Sequence, residues 1–132
     1  MRSYHFDPAG ELPVVKAILK GPEGNKRVHL IFDSGATLTQ INGDVLKFIG
    51  FKESDKIDDV DIVGVSGPAE NTGLYALEKL SVLGRNFVNS RIASIDFSRW
   101  QDDGLDGLLG WDLIKQFHFE VDAPRGLLNV IN

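Results

Sequence analysis

The chain has 132 residues, 42% of them hydrophobic, with 14 basic and 19 acidic side chains and a formal net charge of −5. This is apolar enough for one core and too short for two ordinary domains, so a single domain over 1–132 is expected. The acidic balance lacks the basic face that a nucleic-acid partner requires, and the absence of cysteine excludes disulfides, thiol catalysis and cysteine-ligated zinc.

In chain order, Met1 to Pro8 lacks the apolar stretch of a signal peptide. No run approaches the ~18 apolar residues of a spanning helix. A cytoplasmic location without a membrane segment is therefore expected, for this chain alone or as a domain of a larger protein. Period-2 stretches outnumber helical ones, which predicts an all-β fold. Leu12 to Leu19 and Arg27 to Phe32 read as a hairpin across the turn cluster Gly21-Pro22-Glu23-Gly24-Asn25. On the second strand Val28, Leu30 and Phe32 share one face, and His29, Ile31 and Asp33 the other. Asn42 to Ile49 reads as a short helix capped by Asn42 and ended by Gly50. Val60 to Val65 and Asn71 to Leu77 are strands about the turn Ser66-Gly67-Pro68-Ala69. Leu80 to Leu83 and Phe87 to Ile95 flank the turn Gly84-Arg85-Asn86. A polar loop, Ser98 to Gly104, precedes the largely apolar Leu105 to Leu109. Asp112 to Phe117 reads as one or two helical turns with Asp112 as N-cap. Phe119 to Val121 and Leu127 to Ile131 are closing strands.

The segment most informative about chemistry is Leu30-Ile31-Phe32-Asp33-Ser34-Gly35-Ala36-Thr37. A carboxylate ending an apolar strand is unusual, because an ionised group is costly to desolvate there. Ser34 offers a hydroxyl, and Gly35 lets backbone donors come close to the acid.

The segment resembles the signature of the retropepsin family, apolar-apolar-Asp-[Thr/Ser]-Gly-Ala. The resemblance extends to Leu108-Leu109-Gly110, the family's supporting segment, and to Ile62-Val63-Gly64-Val65-Ser66-Gly67-Pro68 at the place of its glycine-rich flap. It implies a small closed β-barrel with a flap hairpin and one or two short helices, one lobe per chain. It also implies an aspartic endopeptidase with Asp33 as catalytic acid. Ser34, Gly35, Ala36, Thr37, Leu108, Leu109 and Gly110 would support the catalytic loop. Ile62, Val63, Gly64, Val65, Ser66 and Gly67 would meet an extended peptide substrate, with Ile62, Val65 and Leu108 lining apolar pockets. No metal or organic cofactor is implied.

One Asp-Ser-Gly per chain implies a homodimer, since the family's chemistry needs two carboxylates sharing a proton. Asp106-Gly107 lacks the intervening hydroxyl and is read as structural. Ser34 would reach across the two-fold axis. The viral members' acidic residue after Asp-Thr-Gly-Ala and arginine after apolar-apolar-Gly are replaced by Thr37 and Trp111. The sequence is thus closer to cellular and bacterial members, which carry an aspartate at the place of Asp112. The alternative reading is a non-catalytic dimerisation or peptide-binding module on the same fold. A glycosidase has little support, because it would normally need two acids in one chain.

The remaining polar residues carry blander readings. Asp102, Asp103 and Asp106 match no calcium-loop spacing. His5, His29 and His118 show no metal-ligand spacing. Trp100 and Trp111 are expected to pack.

Overall fold

The computed structural model describes residues 1–63 and 69–131. Alternating side chains produce the central hairpin. Strand β2 (Val14–Gly21) buries Val15, Ala17 and Leu19 and exposes Lys16, Ile18 and Lys20. It pairs antiparallel with β3 (Gly24–Phe32), from Val14↔Ile31 down to Gly21↔Gly24. Pro22 and Glu23 form the turn, within the cluster expected from the sequence. Near its end β3 stops alternating. Leu30 is fully buried in the main core while Ile31, 6% exposed, enters a second cluster. Both faces of the strand leading into Asp33 are therefore covered, which is why that stretch is continuously apolar.

Strand β4 (Gln40–Asn42) leads into helix α1 (Gly43–Phe48). The Asn42 side chain accepts from Asp44 N–H, as the capping pattern predicts. Strand β5 (Asp58–Val63) pairs with β6 (Ala69–Val82), and β6 pairs with β7 (Arg85–Ile95). The expected break between Leu77 and Leu80 does not exist; β6 is continuous, since Leu77 and Leu80 both point into the core. The following turn is Leu83-Gly84, both at positive φ, one residue earlier than the sequence suggested. That geometry suits a tight hairpin with right-handed strand twist. The polar loop contains a 3-10 turn, Ser98–Asp103. Strand β8 (Gly107–Leu109) and helix α2 (Trp111–Ile114) follow.

Six strands in the order β2-β3-β8-β4-β7-β6 close on themselves through β6–β2 pairing, with β5 added outside β6. The closed, mostly β barrel agrees with the sequence expectation. A separate three-stranded sheet holds β1 (Arg2–His5), β10 (Leu127–Ile131) and β9 (His118–Asp122), in that order. Strand β1 is absent from the sequence reading. Its residues are polar and show no alternation, and pairing with β10 is what orders them. Among the described residues no helix is long and apolar enough to cross a membrane.

Candidate active site

Strand β8 lies between the two strands that flank loop 33–39. It runs parallel to β3, with Leu30↔Gly107, Ile31↔Leu108 and Phe32↔Leu109, and antiparallel to β4. Two glycines let these backbones approach. A Cβ on Gly107 would collide with the Gln40 carbonyl oxygen, and one on Gly110 would lie 2.5 Å from the Leu38 carbonyl carbon. Only glycine fits such approaches without moving backbone, so the Gly-Leu-Leu-Gly pattern has a packing cause.

Asp33 sits one residue beyond the parallel ladder. Its N–H donates to Leu109 O at 3.0 Å, and its Oδ1 accepts from Gly35 N–H at 2.9 Å. Its carbonyl accepts from Ala36 N–H at 3.2 Å. On the other side of the loop, Trp111 N–H donates to Ala36 O at 2.7 Å. The carboxylate is half-buried, and Ser34, Gly35 and Thr37 are exposed around it. A rigidly anchored acid with an open neighbourhood can hold a water or accept a proton from a ligand.

Leu109 is fully buried in the main core, whereas Leu108 belongs to the second cluster with Ile31, Ile62 and Phe97. Ala36 and Leu38 pack on that second cluster, so the loop rests on an apolar bed. Ile62 and Leu108, expected to line pockets, are brought together there, at 6% and 4% exposure. The Val63 backbone pairs with Ala69. Gly64, Val65, Ser66 and Gly67, the remainder of the expected flap, lie outside the described residues.

One residue escaped the sequence reading, and a second was given the wrong role. Thr39 is fully buried, and its Oγ1 accepts from Gly110 N–H at 3.0 Å while donating to Asp112 Oδ1 at 2.8 Å. Thr39 thus ties the end of the loop to β8 and α2. The hydroxyl at Thr39 was the available signal, but its partner lies 73 positions away. Asp112 is not the N-cap; Gly110 holds that position without a side-chain bond. Asp112 stands in the first turn, and its Oδ1 also accepts from Leu113 N–H at 3.0 Å. A carboxylate there is favoured by the unpaired N–H groups of the helix start.

Asp106 is structural, as expected: its Oδ2 accepts from His29 N–H at 2.9 Å, and its backbone bonds both His29 and Asn42. Trp100 stacks on Phe97 with ring centroids 6.1 Å apart, a packing role. Trp111 departs from expectation at 45% exposure, because α2 turns Leu113 and Ile114 inward and leaves its first residue outside.

A half-buried aspartate held by a glycine N–H stands on a loop buttressed by a Gly-Leu-Leu-Gly strand, the arrangement expected from the sequence for an aspartic protease lobe. Sequence comparison agrees: residues 15–113 match the aspartyl protease family, and the chain belongs to that family. Its structure is similar to the crystal structure of a retropepsin-like aspartic protease from Rickettsia conorii. That match has a TM-score of 0.66 and 16% sequence identity, and covers 98% of this chain and 97% of the other. At that identity the likeness shows the retropepsin-like fold. No curated protein sequence matches the chain.

Proposed function

We propose that the chain is an aspartic endopeptidase acting as a homodimer, with Asp33 of one copy meeting Asp33 of a second across a two-fold axis. The observation that carries this reading is the fixed, half-buried Asp33 carboxylate at the mouth of the barrel, held by Gly35 N–H. The sequence contains one Asp-Ser-Gly, so a second equivalent acid must come from a second copy.

Two carboxylates side by side cannot both ionise easily, so one keeps its proton, and the pair titrates as a unit. The ionised member takes a proton from water as the water oxygen bonds to the scissile carbonyl carbon. The protonated member gives its proton to the carbonyl oxygen. Collapse of the tetrahedral species breaks the C–N bond, with a proton delivered to the leaving amine. Ser34 steadies the opposite loop. The segment 62–67 covers the substrate, which lies extended so that its backbone pairs as an added strand. Ile62 and Leu108 border the apolar pockets that select side chains.

The test is cleavage of an unfolded protein substrate across about pH 3 to 7, by the wild type, by Asp33→Asn, and by the wild type with an aspartic-protease inhibitor. Loss of cleavage in the last two supports the reading. Equal cleavage by wild type and Asp33→Asn removes it. Substrate binding without cleavage by either protein would favour a peptide-binding module.

A further inference from the structure

The outer wall of the barrel carries a groove of about 840 Å³ to which the Asp33 loop contributes nothing. That size lies within the roughly 300–1,000 Å³ common to ligand sites. One wall is β1, through residues 3–5. The floor is the outer face of the β2–β3 hairpin, where Lys16 stands opposite His29 and Ile18 opposite Arg27. The tip of the β6–β7 hairpin closes one end, where Gly84 packs against the Tyr4 hydroxyl.

Three properties of this groove fit one kind of occupant. First, Lys16, Arg27 and Arg85 line it and, among the described residues, no acidic side chain does, in a chain of net charge −5. Arg85 is occupied, donating to Gln116 O at 2.9 Å, but among the described residues Lys16 and Arg27 make no salt bridge. Second, Ile18 lies between these cations at 40% exposure, high for a large apolar side chain. Third, β1 pairs with β10 on one side, and no described strand covers its other edge. Such an edge is a template for main-chain pairing.

We infer that this groove binds an extended acidic peptide segment, added as a strand to the free edge of β1. Its carboxylates meet Lys16 and Arg27, and an apolar side chain covers Ile18. A second copy of this chain is a poor occupant. A two-fold contact of the groove with itself would set Lys16, Arg27 and Arg85 against their own equivalents. A nucleic acid is also poorly suited, because its extended charge would meet the acidic remainder of the surface. The docking role is separate from the chemistry at Asp33, and it offers a protein partner or substrate a second foothold.

The test uses the Asp33→Ala chain, so that cleavage cannot consume the probe and failure of one reading leaves the other standing. A fluorescein-labelled peptide of about ten residues, alternating Glu with Val, is titrated by fluorescence anisotropy. Its Lys–Val counterpart, a single-stranded oligonucleotide and anionic vesicles serve as competing probes. Micromolar binding of the Glu–Val peptide is expected, weakened about tenfold by Lys16→Glu with Arg27→Glu and by raised salt. The milder Lys16→Gln with Arg27→Gln gives an intermediate loss, and thermal unfolding checks that both variants fold. No binding, unchanged affinity in folded double variants, or equal binding of any competing probe overturns the inference.

Discussion

Replacing Thr39 with valine keeps the side-chain shape and removes the hydroxyl that links loop, strand and helix. Thr39 is fully buried, and its Oγ1 makes two bonds, at 3.0 Å from Gly110 N–H and at 2.8 Å to Asp112 Oδ1. The variant leaves the buried Gly110 N–H without an acceptor, which costs about 1–3 kcal/mol. Loss of a donor to a carboxylate adds about 1 kcal/mol, since Asp112 Oδ1 keeps its bond from Leu113 N–H. The sum is about 2–4 kcal/mol. With an unfolding entropy of about 2.1 cal/mol/K per residue over 132 residues, Tm should fall by roughly 7–14 °C. Thermal and urea unfolding of Thr39→Val, Asp112→Ala and the double variant measure this. The two sites should couple by about 1 kcal/mol. A loss under about 1 kcal/mol for Thr39→Val, or strict additivity, would refute the view that this hydroxyl fastens the loop.

Other outcomes follow from the same structure. Gly107→Ala drives a methyl group into the Gln40 carbonyl oxygen, and urea unfolding should show a loss of about 3 kcal/mol; a neutral result would mean that β4 and β8 separate freely. Leu30→Ala empties a fully buried site in the main core and should cost about 2–5 kcal/mol by the same measurement. A hydrogen bond from the Arg125 side chain holds the Asp122 carboxyl below its ordinary pKa, against an opposing effect of burial and with help from the Arg125 backbone N–H and charge. A depressed folded-state pKa gives stability that is present above the unfolded value of about 3.9 and is lost as pH falls through the folded value. Urea midpoints of Arg125→Gln should therefore lie below wild type at neutral pH and converge with it in strong acid. A gap that persisted at about pH 2 would place the effect in packing instead of charge.

Local chemistry explains which parts of the fold were readable from sequence. The β2–β3 hairpin was legible because its Gly-Pro-Glu-Gly turn interrupts alternation that the barrel wall preserves. The Asn42 cap was legible because capping acts within a few residues. Strand β4 was not, since all three of its residues are buried and no alternation marks it. Strand β1 has no apolar pattern of its own and exists through its partner more than 120 positions away, as in Arg2↔Val130. In the site, Asp33 and its glycine were visible because the acid breaks an apolar run. The Thr39–Asp112 bond was invisible, because Asp112 read as a helix cap and only the antiparallel pairing of β4 with β8 brings the two residues together. Trp111 was misread because aromatic bulk predicts burial, whereas helical phase places it on the outside of α2.

Subunit mixing probes the shared pair of acids most directly. Wild-type chains are combined with an equal amount of folded Asp33→Asn chains, allowed to exchange, and assayed for peptide cleavage. If each working site takes one Asp33 from each copy, about one quarter of the dimers are active, and turnover falls to about half of that shown by the same quantity of wild type alone. Turnover that stays equal to that of the wild-type chains alone, after exchange has been verified, would mean that each chain works by itself and would contradict the account.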